Sequence, residues 1–132
     1  MEIKNRRILY VDTDAENSFI LETLLRAASY EPVTVNFASD ALPLAQGESF
    51  DLFILSKRLP IGSGVYLCQR LHEIAPRTPI IFLSDDADGF NPAERFLTGA
   101  QEYVISSGDA HDVVENVNHL MSRQTETAQV IF

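Results

Sequence analysis

The chain has 132 residues, enough for one domain with a single core, and its 45% hydrophobic and 22% charged content is that of an ordinary globular protein. A formal net charge of -9, from 19 acidic against 10 basic residues, argues against binding nucleic acid or an anionic membrane through a basic face. The single cysteine, Cys68, excludes an internal disulfide and a cysteine metal cluster. No apolar run reaches membrane-spanning length, and the opening MEIKNRRILYV has no signal-peptide core, so a cytoplasmic location is expected.

Arg6 to Val11 (RRILYV) reads as a first buried strand, closed by Asp12, Thr13 and Asp14. A helix follows to about Ser29, with Asp14 as its N-cap, Glu16 in its first turn and Phe19, Ile20, Leu24 and Leu25 on one face. Pro32 to Phe37 alternates Val33, Val35 and Phe37 with polar neighbours, the pattern of a second strand. Ser39 is expected to cap a short helix, Asp40 to Gln46, strained by Pro43 and ended by Gly47. Leu52 to Leu55 is an all-apolar third strand, turning polar at Ser56, Lys57 and Arg58 and breaking at Pro60, Gly62 and Gly64. Val65, Leu67, Cys68, Leu71 and Ile74 then give a helical face on which Cys68 is a buried, inert thiol.

Ile80 to Leu83 is a fourth strand ending at Ser84, followed by an acidic turn, Asp85 to Pro92, and a weak helix, Ala93 to Thr98. Glu102 to Ile105 is the fifth strand, and Asp109 is expected to cap a last helix from Ala110 through Met121. Strands alternating with helices predict an α/β fold: a flavodoxin-like, doubly wound, five-stranded parallel sheet of order 2-1-3-4-5 with five flanking helices. Residues 1–123 form the domain, and 124–132 a polar C-terminal tail or linker stub.

Open sheets of this kind place their chemistry beyond the carboxyl ends of the strands. Those ends gather Asp12, Thr13, Asp14, Ser56, Ser84 and Ser106. With ILYVDTD closing strand one, FDLFILSKRLPIGSG for strand three and its loop, PIIFLS for strand four and GAQEYVIS for strand five, nearly the whole chain resembles the receiver domain of two-component response regulators. The resemblance implies a phosphoryl-accepting Asp after strand three and a Mg²⁺ held by an acidic pair after strand one and a backbone carbonyl. It also implies a hydroxyl after strand four, and a Lys followed by a cis-Pro after strand five.

Carried over by position, the acceptor is Ser56, the acidic pair is Asp12 and Thr13, and Asp14 comes one residue late. The strand-four hydroxyl is Ser84, the lysine and proline positions are Ser106 and Ser107, and the aromatic that rotates on activation in many receivers is Tyr103. A degenerate, or pseudo-, receiver is therefore expected, with no catalytic residue. Asp12 is left as a weak Mg²⁺ ligand, expected to be empty, and no other cofactor is expected. A Ser56 hydroxyl without a general base beside it is a poor acceptor. Arg58 has two readings that the sequence leaves open: a built-in cation in the acidic pocket, or a solvated residue of a turn.

Other candidates have plainer readings. Asp85, Asp86 and Asp88 read as a flexible acidic loop, His72, His111 and His119 as surface residues on separate helices, and GSGV at Gly62 to Val65 as a turn. The expected role is a non-catalytic signalling module of the response-regulator class that works by protein–protein contact. By resemblance its partners are a histidine kinase or an output domain, and a second copy docked through the fourth helix, fifth strand and fifth helix. Phe90, Phe96, Tyr103, Val104, Asp109 and Asp112 are the residues to watch on that face. The alternatives are an active phosphoacceptor using another residue, and a small-ligand sensor in the vacated pocket.

Overall fold

Runs of four or five apolar residues are too short for helices and bury both faces only when a sheet is covered on both sides. The computed structural model builds them that way and describes residues 6–56, 61–84, 102–105 and 110–130. Strands β1 (Arg7–Val11), β2 (Glu31–Val35), β3 (Leu52–Leu55), β4 (Ile80–Ser84) and β5 (Glu102–Ile105) form one parallel sheet in the order β2-β1-β3-β4-β5. The expected strand order is thus observed. The described helices are α1 (Ala15–Ala27), α2 (Ala38–Gly47), α3 (Ile61–Ile74) and the C-terminal α4 (Ala110–Val130). The expected helix at Ala93 to Thr98 and the acidic turn before it lie outside the described residues, as does the expected cap Asp109.

Alternation along the strands splits the core into two halves. Ile8, Tyr10, Leu52, Ile54, Ile81 and Leu83 face Leu21 and Leu25 of α1 and Val113, Val117 and Leu120 of α4. Leu9, Val11, Phe53, Leu55, Ile80 and Phe82 face Ala41 and Ala45 of α2 and Leu67, Cys68 and Leu71 of α3. Cys68 is buried, as expected, and burial pushes its thiol up to about 12, which keeps it protonated and unreactive near neutral pH.

Several expectations are corrected. Helix α1 turns Ser18, Leu21 and Leu25 inward, while Phe19 and Ile20 stand 68% and 51% exposed. The i, i+3, i+7 spacing of 18, 21 and 25 sets the phase, so the run Phe19–Ile20 straddles the solvent side. Phe37 lies beyond β2 and is 65% exposed, because it is the residue from which α2 starts. The helix therefore begins at Ala38 rather than Asp40, Ser39 is within it, and no side chain caps it. The Gly62–Gly64 turn is instead the first turn of α3: burial of Leu67, Cys68 and Leu71 outweighs the propensity cost of two glycines. Helix α4 continues past Met121 to Val130, through what reads as a polar tail. Helix α1 ends in a Schellman arrangement, with Tyr30 N–H donating to the Leu25 carbonyl at 3.0 Å and Ser29 at φ 72°, where glycine is the usual residue.

Candidate functional site at the strand ends

The strand order reverses between β1 and β3, so the crevice of this sheet opens where those two strands end. Val11 pairs with both Val35 and Leu55, and Leu55 with Phe82. One step further, Asn36, Asp12, Ser56 and Leu83 stand level, and Ser84 one residue beyond, across from Ile105. Backbone bonds carry the row past the strands: Asp12 N–H donates to the Val35 carbonyl at 3.0 Å, and Ser56 N–H to the Val11 carbonyl at 2.9 Å. Asp12, Ser56 and Ser84 thus follow or end neighbouring strands along one edge of the sheet. Arg58 and Ser106 lie outside the described residues, and Ser84 and Tyr103 are described through their backbone, so neither reading of Arg58 is tested.

Asp12 and Ser56 are both fully buried. A buried carboxylate is tolerated when its oxygens are hydrogen-bonded, and Asp12 meets that condition from its own chain. The Tyr10 hydroxyl donates to Oδ2 at 2.5 Å, and the Asp14 N–H donates to Oδ1 at 2.9 Å. The Asn36 side-chain amide donates to the Asp12 backbone carbonyl at 2.8 Å, tying the end of β2 to the same turn. Asp14 caps α1 as expected: its Oδ1 accepts the Glu16 N–H at 3.0 Å, and its carbonyl accepts the Ser18 N–H at 2.9 Å. Thr13 is exposed.

Mg²⁺ takes carboxylate and other oxygen ligands in near-octahedral order. The described residues do not fit it. Thr13 brings no carboxylate where an acidic pair is needed, each Asp12 oxygen already accepts a bond from within the chain, and Oδ1 of Asp14 is held by the helix start. Among the described residues no group of three or more His, Cys, Asp or Glu side chains could hold a metal ion. His72, His111 and His119 are all exposed, on α3 and α4.

Tyr10 and Asn36 are the residues that sequence reasoning missed. Tyr10 reads as one more apolar strand position, yet residues two apart on a strand share a face, and that spacing to Asp12 was the available signal. Asn36 had none, since its contact depends on the register of β2 against β1.

The family described as the response regulator receiver domain matches residues 8–118. Among curated proteins, the chain is 31% identical over 123 residues to a probable transcriptional regulator, ycf27, of Cyanophora paradoxa, covering 93% of this chain and 51% of that protein. It is 26% identical to the alkaline phosphatase synthesis transcriptional regulatory protein PhoP of Bacillus subtilis (strain 168), covering 90% of this chain and 50% of that protein. The chain thus spans about half the length of these relatives. Among solved structures, a CheY-like receiver domain protein from Methanospirillum hungatei JF-1 superposes with a TM-score of 0.81 at 22% identity, over 93% of this chain and 98% of that one. That likeness is one of fold. Among the described residues, no helix is long and apolar enough to cross a membrane.

Proposed function

The chain belongs to the response regulator receiver domain family, and on that premise we propose that it is a pseudo-receiver: a signalling module of a two-component system that works through protein contact without phosphorylation of an aspartate. The observation that carries this reading is the position of Ser56. It follows β3 directly, level with Asp12 in the row of strand ends, where a receiver needs its accepting carboxylate. A hydroxyl there has a much higher pKa than a carboxylate and accepts a phosphoryl group only with a base to take its proton. No histidine lies at a described strand end, and Ser56 is fully buried, closed to a protein kinase as well.

Phosphoryl transfer also needs a cation to absorb the charge on the transferred oxygens. The carboxylates that would hold one are replaced at Thr13 or engaged within the chain at Asp12. What remains is the scaffold, which presents surfaces. By family likeness the partners are a histidine kinase or an output domain, with a second copy docking through the segment that ends in β5 and α4. The relatives named as transcriptional regulators are about twice as long as this chain. An output domain joined to α4 in the full protein fits that length.

Incubating the chain with acetyl phosphate and Mg²⁺ and weighing it intact tests the reading. The expected spectrum is that of the unmodified chain, and a single phosphoryl adduct would overturn it.

A further inference from the structure

Asp12 stands where a receiver has its first acidic Mg²⁺ ligand, but its carboxylate is engaged from inside the chain. Tyr10 and Asp12 leave the same face of β1, both are buried, and the Tyr10 hydroxyl donates to Oδ2 while the Asp14 N–H donates to Oδ1. The turn they hold is the one from which α1 starts, since Asp14 also caps that helix. We propose that Tyr10 is a built-in partner of Asp12, whose hydroxyl occupies the carboxylate oxygen a divalent cation would take and turns a metal-ligand position into a brace for the β1–α1 turn. This deepens the pseudo-receiver reading and rests on it. Metal binding is lost through an added group at Tyr10 as well as through the carboxylate missing at Thr13.

The chemistry favours the brace over the ion. A cation at Oδ2 would have to share that oxygen with the Tyr10 O–H, which already draws on its negative charge, or push the hydroxyl off it inside the core, where losing a bond to a carboxylate is costly. The second oxygen is held by a backbone N–H that cannot move without opening the start of α1. The Tyr10 ring also belongs to the half-core that holds Ile8, Leu52 and Ile54, so packing fixes where its hydroxyl stands.

Mn²⁺, a paramagnetic stand-in for Mg²⁺, tests this on the whole chain. Thr13→Asp returns a carboxylate at an exposed position, and Tyr10→Phe removes the hydroxyl while keeping the ring. Measured by water-proton relaxation, Thr13→Asp alone is expected to bind Mn²⁺ within about threefold of the unsubstituted chain, and the double variant at least about tenfold more tightly than Thr13→Asp. Equal binding by Thr13→Asp and the double variant would overturn the proposal. A second readout needs no variant. The Tyr10 hydroxyl proton should appear in the proton NMR spectrum as a slowly exchanging downfield resonance that millimolar Mg²⁺ leaves in place, and its loss on adding Mg²⁺ would overturn the proposal too. A phosphoryl adduct from acetyl phosphate would instead sink the pseudo-receiver reading, so the two failures are told apart.

Discussion

At the start of β1, Arg7 stands partly in water. Its guanidinium bonds Glu48 at 2.6 Å and the Ser49 carbonyl at 3.2 Å and lies 4.7 Å over the Phe50 ring, and the Arg7 backbone N–H donates to the Asp51 carboxylate at 2.8 Å. Beside it, a cavity of about 320 Å³ is lined by Glu48, Ser49, Phe50, Ile74 and Thr78. Five residues on, just past the end of the same strand, Asp12 is fully buried and accepts bonds from Tyr10 and Asp14. Both ends are polar and both are hydrogen-bonded. The difference is solvent: water can replace a bond at the Arg7 end, whereas Asp12 is shut off from it. A strand end that carries chemistry is normally the wetter one, and here it is the sealed one.

Three substitutions sharpen this contrast. Midway along the sheet, Ile54→Ala removes a fully buried side chain from the half-core shared with α1 and α4. It should cost about 2–5 kcal/mol in urea denaturation and sets the scale for the other two. At the sealed end, Tyr10→Phe deletes one bond to a carboxylate and should cost about 1.5–3 kcal/mol, independent of salt. A cost near zero would mean that water reaches Asp12. At the open end, Glu48→Gln breaks an ion pair whose side chains are 29% and 41% exposed. It should cost less than about 1 kcal/mol, and what cost there is should shrink as salt is raised. A larger loss for Glu48→Gln than for Tyr10→Phe would invert the comparison.

How much of this was legible from residues alone depended on how local the cause was. The strands were, because unbroken apolar runs such as LFIL and IIFL have one stable use, and so was the Asp14 cap, since capping is decided within three residues. The inward face of α1 was not. Two overlapping stripes fit a helical period, and the choice of Leu21 and Leu25 over Phe19 and Ile20 is made by the sheet beneath. The start of α3 was not either, because Gly62 and Gly64 speak for a turn locally and are overruled by packing further along. At the site, the residue types at positions 12, 13, 56 and 84 could be placed at strand ends from pattern alone, and the register sets Asp12 and Ser56 level with Ser84 one residue beyond. The Tyr10–Asp12 bond was half visible, as a shared face. The Asn36 contact was invisible, because it joins elements 24 residues apart.

On the proposed reading, Asp12 is a structural group held from within the chain and not a ligand kept ready for a cation. A carboxylate held for a cation is a burden when the cation is absent, so neutralising it stabilises the fold, whereas a carboxylate that accepts two internal bonds is part of what holds the fold together. Urea denaturation of the unsubstituted chain and of Asp12→Asn, each with and without Mg²⁺, separates the two directly. The amide can accept only one of the two bonds and turns its NH₂ toward the other donor. Asp12→Asn is therefore expected to be less stable by about 1–3 kcal/mol, and Mg²⁺ to leave the midpoint of the unsubstituted chain where it was. A variant more stable than the unsubstituted chain, or a midpoint raised by Mg²⁺, would contradict it.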